Sequence, residues 1–225
     1  MRQRLPAALL LDLDGTLVDS EPMQRAAYRA FFADRGWDHT DLTLFTGRRA
    51  QDVFASTPGP WTDGDPHELA AAVVSFLPTD IEPAPVAGAR TMIETAAALG
   101  VPVAVVTSAG PDWAERSLAD VLGVRHHVEA IVTSHDVVDG KPDPAGFTLA
   151  CARLGVAAAD CVAVEDSPAG ISAALAAGVE EVYGVSTTHT AGDLAAAGAV
   201  GVFDDLVGVA ALVGLGERPP PSESA

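Results

Sequence analysis

The chain has 225 residues, 48% of them apolar and 5% aromatic, with 31 acidic side chains against 13 basic ones. That length suits one core with a small second lobe. The net charge of −18 argues against nucleic acid as a partner, since its phosphates would be repelled, and no apolar run reaches the ~20 residues that span a bilayer.

In chain order, an apolar run over residues 7–11 reads as a first buried strand and ends at Asp12-Leu13-Asp14-Gly15-Thr16. Residues 20–83 then read as helices only, over 21–35, 49–55 and 66–77, joined by turns rich in Gly, Asp and Pro. The stiff segment Glu82-Pro83-Ala84-Pro85 reads as a hinge strand returning to the first lobe. From Gly88 onward helices and strands alternate: helix 91–99 closed by Gly100, strand 101–106, helix 112–122, strand 130–132, helix 144–154, strand 161–164, helix 168–177 and strand 181–185. This alternation predicts an α/β fold, a Rossmann-like, mostly parallel sheet with helices on both faces. The expected division is a core of residues 1–18 and 84–216, a small all-α cap of residues 19–83 inserted after strand one, and a disordered tail over 217–225. The first six residues run straight into the strand, so no signal peptide is expected and the cytoplasm is the expected compartment. Cys151 and Cys161 lack metal-type spacing and read as reduced, buried thiols. The pattern leaves the oligomeric state open, with a monomer as one option.

Asp12 and Asp14 stand two apart at a strand exit, where period-two alternation points both carboxylates the same way. Gly15 lets the chain turn off sharply, which leaves the acids at the C-terminal edge of the sheet, where open α/β folds bind ligands. Alone, such an Asp-x-Asp-Gly run also fits an ordinary turn or a calcium loop. Three further clusters follow expected core strands. Thr107-Ser108 offers a hydroxyl and backbone N–H groups suited to a phosphate oxygen, or else caps the next helix. Gly140-Lys141-Pro142-Asp143-Pro144 holds one ammonium on stiff backbone. Glu165-Asp166-Ser167 adds adjacent acids, and four converging carboxylates need a cation between them. Their hard oxygen donors favour Mg²⁺ over zinc. Trp37, Trp61 and Trp113 read as packing or interdomain surface rather than substrate platforms. His126 and His127 read as solvated loop residues.

The order Asp-x-Asp-Gly-Thr, strand-end Thr, Gly-Lys-Pro and Glu-Asp-Ser-Pro-Ala-Gly closely resembles the haloacid dehalogenase-like hydrolases, in the branch with a helical cap after the first strand. The likeness runs from Leu9 to about Leu206. It implies that Asp12 is a nucleophile forming an aspartyl-phosphate and that Asp14 is the general acid and base. It further implies Mg²⁺ held by Asp12, the Asp14 carbonyl, Asp166 and Glu165, with Thr107 and Lys141 gripping the phosphoryl oxygens and Ser167 orienting a metal ligand. With both aspartates present, the resemblance favours phosphatases over dehalogenases and phosphorylating pumps. The similar β-phosphoglucomutases carry a histidine ten positions after the second aspartate, where this chain has Gln24, and a cap arginine in the slot of Ala50. Both departures favour hydrolysis of a small phosphorylated metabolite, a sugar or polyol phosphate, over a mutase. Ser108 and the cap residues Arg48 and Arg49 are further candidates for substrate contact. A non-catalytic relative would be expected to have lost some of Asp12, Asp14, Lys141, Glu165 and Asp166, all of which stand here.

Overall fold

The structure is a computed structural model that describes residues 5–38 and 41–215; the tail expected over 217–225 lies outside them. Its centre is strand β1 (Leu9–Leu11). A two-residue ribbon pairs β2 (Val18–Asp19) antiparallel with β3 (Ala84–Pro85), so the chain leaves and re-enters the core side by side. The remaining strands are β4 (Val103–Val106), β5 (Ala130–Val132), β6 (Val162–Glu165), β7 (Glu181–Val185) and β8 (Gly201–Phe203). Six strands form one parallel sheet in the order β5-β4-β1-β6-β7-β8. Leu11 pairs with Val105 on one side and Val164 on the other. The central strands β1, β4 and β6 are buried throughout, which is why they read as unbroken apolar runs. The order of connection reverses at β1. Ligands of open α/β sheets bind at such a switch point, and the exits of β4, β1 and β6 meet there.

Helices α4 (Ala89–Ala98), α5 (Pro111–Arg116), α6 (Ala145–Leu154), α7 (Pro168–Ala176), α8 (Ala191–Ala196) and α9 (Leu206–Leu212) cover the sheet, counting after the three helices of the insertion. Two apolar clusters result, one around Leu9, Leu11, Met92 and Ile93, the other around Leu10, Phe147, Ala163 and Ile171. The insertion is helical as expected: α1 (Glu21–Asp34), a short 3₁₀ turn (Thr43–Phe45), α2 (Ala50–Ser56) and α3 (Pro66–Val74). Asp65 caps α3, accepting the His67 and Glu68 N–H groups at 2.9 Å, with Pro66 just inside. Its own core is built of rings, among them Phe31, Phe32, Phe45, Phe54 and Trp61.

Several expectations need correction. The helix expected over 112–122 runs as α5 and then loosens into a π-helical turn, Ser117–Val121. The strand expected from 101 begins at Val103. Helices α8 and α9 and strand β8 were not foreseen; β8 is a three-residue edge strand, only half-buried, so alternation leaves it little signal. Cys151 and Cys161 are buried and not joined by a disulfide. No described helix is long and apolar enough to cross a membrane.

Candidate active site

Three neighbouring strands deliver the chemistry. Asp12 follows β1 and is locked in register by its N–H, which donates to the Val164 carbonyl at 3.0 Å. Glu165 closes β6, and Asp166 follows it. One oxygen from each of Asp12, Glu165 and Asp166 lies within 4.8 Å of the others. All three residues are buried. Lys141 enters from the loop before α6, where the Lys141-Pro142 peptide is cis. Its Nζ is 2.5 Å from both Asp12 Oδ1 and Glu165 Oε1 and donates to the Val106 carbonyl at 2.9 Å. Burial alone would lower the Lys141 pKa, but the charges of Asp12 and Glu165 and the hydrogen bonds to both outweigh it, so the ammonium is held.

Glu165 has both oxygens engaged, Asp12 and Asp166 one each. Ser167 Oγ donates to Glu165 Oε2 at 3.0 Å while accepting the Gly170 N–H at the start of α7. Thr188 Oγ1, from the loop after β7, bonds Asp166 Oδ2. Asp12 Oδ2 and Asp166 Oδ1 are buried without a hydrogen-bond partner among the described residues. Burial pushes the Glu165 carboxyl up to about 7 despite the pull of Lys141. Burial and the charges of Asp12 and Glu165 drive Asp166 well above the carboxylate range. Three acids against one ammonium leave an excess of two negative charges when ionised. A divalent cation with oxygen ligands fits that excess and the two orphaned oxygens.

Gly15 makes the close approach possible. Its φ is +83°, and a Cβ there would overlap Asp166 Oδ2 and Thr188 Cγ2. Thr187 Oγ1 also bonds the Gly15 carbonyl, so the loop after β7 clamps both the turn and the acid. Neither threonine was singled out in the sequence, although the exit of β7 adjoins that of β6 and the strand-end rule applies there too.

The fourth carboxylate is a correction. Asp14 does not share the cluster, because β1 ends at Leu11 and period-two alternation no longer governs the turn. Its Oδ1 accepts from Ser20 Oγ (2.6 Å), Trp113 Nε1 (2.9 Å) and Gln24 Nε2 (3.0 Å). Asp14 lines a cavity, yet protein surrounds it closely enough for burial to raise its carboxyl to about 6, with the Ser20 hydrogen bond opposing and the Asp12 charge reinforcing. Trp113, expected as packing, is thus an indole donor to an acid of the site.

That cavity, about 250 Å³, lies between the insertion and the sheet edge. Asp12, Asp14, Thr107, Ser108 and Trp113 line it from the core, with Gln24, Tyr28, Arg48, Arg49, Val73 and Leu77 from the insertion. The backbone N–H groups of Thr107 and Ala109 are taken, by the Val132 carbonyl (2.9 Å) and Thr107 Oγ1 (3.0 Å). The Ser108 hydroxyl reaches toward the Gly47 carbonyl at 3.4 Å. Gly47, at φ +73°, packs so tightly on Ser167 that a Cβ would overlap that side chain. The two arginines differ. Arg49 spends its guanidinium on Asp52 (2.7 and 3.1 Å) and on the carbonyls of Val137 (3.3 Å) and Val138 (2.7 Å), tying the insertion to the core. Arg48 donates one bond to Ser56 Oγ at 3.2 Å, and its buried Nε has no partner among the described residues.

Residues 6–178 match the haloacid dehalogenase-like hydrolase family. The chain belongs to that family. Among relatives of this hydrolase, validoxylamine A 7'-phosphate phosphatase of Streptomyces hygroscopicus subsp. limoneus is 38% identical over 192 residues, covering 84% of this chain and 89% of its own. Fructose-1-phosphate phosphatase of Escherichia coli is 35% identical over 186 residues, covering 78% of this chain and 95% of its own. The crystal structure of CbbY from Rhodobacter sphaeroides in complex with phosphate superposes with a TM-score of 0.72 at 27% identity, covering 89% of this chain and 95% of that one. The six-stranded parallel sheet of this chain, with helices α1–α3 inserted after β1, is thus the family's α/β fold with a helical cap.

Proposed function

We propose that this haloacid dehalogenase-like hydrolase is a Mg²⁺-dependent phosphatase that hydrolyses a small phosphomonoester, a sugar or polyol phosphate, through an aspartyl-phosphate on Asp12. The observation that carries the reading is Asp12 itself, with one oxygen neutralised by Lys141, the other unbonded, and a small cavity before it. The relatives of 35–38% identity are phosphatases of phosphorylated small molecules, which supports the substrate class.

An ionised aspartate needs no activating base to attack phosphorus; it needs the repulsion between two anions removed. Lys141 does part of this. Mg²⁺, held by Asp12 and Asp166 with Glu165 beside them, would supply the remaining positive charge against the phosphoryl oxygens. Thr107 and Lys141 hold the transferring group, and Asp14 protonates the departing alcohol and then takes a proton from the attacking water. Gln24 lacks a titratable group at the mutase histidine's place, which supports hydrolysis over transfer back to sugar. The apolar wall of Val73 and Leu77 excludes water, and Arg48, which lines the cavity from the insertion, contacts the part of the substrate that does not react. Hydrolysis of p-nitrophenyl phosphate and of a panel of sugar and polyol phosphates, with and without Mg²⁺, tests the reading. Wild-type protein turns over in Mg²⁺ alone, and Asp12→Asn loses on the order of a thousandfold or more in kcat. An inactive wild type, or an active Asp12→Asn protein, overturns it.

A further inference from the structure

We infer that Trp113 is a positioning residue for Asp14: its indole holds the carboxyl by Oδ1 and so reserves Oδ2 as the oxygen that exchanges protons with the leaving group and with water. This rests on the phosphatase reading above. An indole N–H can only donate, so the atom it meets at 2.9 Å, Asp14 Oδ1, must accept. Gln24 Nε2, at 3.0 Å, is a second donor to the same atom, and the Ser20 hydroxyl at 2.6 Å a third. A carboxylate oxygen has about two lone-pair sites. With Oδ1 filled, a proton placed on it would have to displace one of these donors.

Oδ2 is different. Its hydrogen-bond neighbour among the described residues is Thr107 Oγ1 at 3.5 Å, the outer limit of a hydrogen bond, and that hydroxyl already accepts the Ala109 N–H at 3.0 Å. Asp14 and Thr107 both line the cavity. The asymmetry decides where the proton travels. As an Asp12 oxygen bonds phosphorus, the bond from phosphorus to the leaving oxygen breaks, and that oxygen keeps the electron pair and takes the proton from Asp14 Oδ2. Water then attacks phosphorus and yields a proton to Oδ2, while the aspartyl P–O bond breaks and restores the Asp12 carboxylate. Gln24 comes from α1 in the cap, whereas Trp113 on α5 belongs to the same lobe as Asp14. The indole is therefore the donor that needs no cap contact.

The test is Trp113→Phe, which keeps an aromatic ring and removes the N–H. kcat/KM covers steps up to departure of the leaving group, so two esters separate positioning from packing. Glycerol phosphate needs its alkoxide protonated, whereas p-nitrophenolate leaves without help. The expected result is a loss of about 10- to 100-fold on glycerol phosphate, with the ratio of the two specificity constants moving at least about tenfold. Equal losses on both esters, or none on either, overturn the inference. A second readout needs no turnover. In ¹⁵N–¹H spectra the Trp113 indole signal, assigned from Trp113→Phe, moves upfield in Asp14→Ala. The Trp61 signal, whose N–H donates to the Thr57 carbonyl, stays in place. An unmoved Trp113 signal overturns the inference even in an active enzyme. A wild type inactive on both esters with a moved signal instead overturns the phosphatase reading, and the catalytic role with it.

Discussion

The sheet core packs Val, Ala and Leu against both faces of six strands, while the cap packs rings. Eight of the chain's twelve aromatic residues lie between Tyr28 and Phe76. Trp61 alone meets four of them: stacked on Phe32 at 5.7 Å and edge-on to Phe45 at 5.7 Å, Phe54 at 5.5 Å and Trp37 at 6.2 Å. The difference follows from size. A lobe of three short helices cannot bury enough surface with aliphatic side chains, whereas each ring buries roughly 150–250 Å². In the core the constraint is reversed: Ala89, Ala96, Ala150, Ala173 and Ala174 let helices sit close on the sheet. That rigid packing is what can hold three buried acids and an ammonium together, and the cap's task is enclosure.

Trp61→Ala gives the largest expected effect on stability, about 3–5 kcal/mol by the cost of deleting a buried ring. The loss should be confined to the cap: circular dichroism and urea unfolding show a weakened first transition, while Mg²⁺ affinity by calorimetry stays near that of the wild type. Equal loss of metal binding would mean that the two regions fold as one. A smaller effect is expected in the core at Thr188→Val, which frees Asp166 Oδ2 and should weaken Mg²⁺ binding about 10- to 100-fold, with Thr188→Ser restoring it. Unchanged affinity would show that the loop after β7 does not orient the acid. The smallest effect belongs to the surface pair Asp136–Arg153, at 2.5 Å. Asp136 sits below the usual carboxylate range; its slight burial works the other way, and the hydrogen bond from Arg153 and those from Thr133 prevail. A depressed acid stabilises above its unfolded pKa and loses that contribution as pH falls through the folded value. Asp136→Asn should therefore cost less than about 1 kcal/mol near neutrality and nothing in strong acid, read from urea midpoints across that range.

Much of the site is legible before any folding is known, for one reason. Asp12, Thr107, Glu165 and Asp166 each follow an apolar run long enough to be a buried strand, and parallel strands of one sheet present their exits on one edge. Lys141 is legible through its neighbours Gly140 and Pro142. Asp14 stands outside the three-acid cluster because the strand stops three residues before it. Trp113, Thr187 and Thr188 escaped because an indole or a hydroxyl in a loop has many ordinary uses, and no periodicity says which way a loop side chain turns. Arg48 and Arg49 are indistinguishable as neighbours in sequence; only the Asp52 carboxylate and the Val137 and Val138 carbonyls separate them.

By itself the sequence determined the alternation of strands and helices, the helical interruption after β1 and the identity of the charged groups, because hydrophobic period and motif spacing are local properties. Tertiary structure alone decided which oxygen of each acid is engaged, which arginine keeps an unpaired nitrogen and which tryptophan meets Asp14. Those are contacts between segments as much as 129 residues apart, and their geometry is set by how helices and loops pack on the sheet rather than by any stretch of chain.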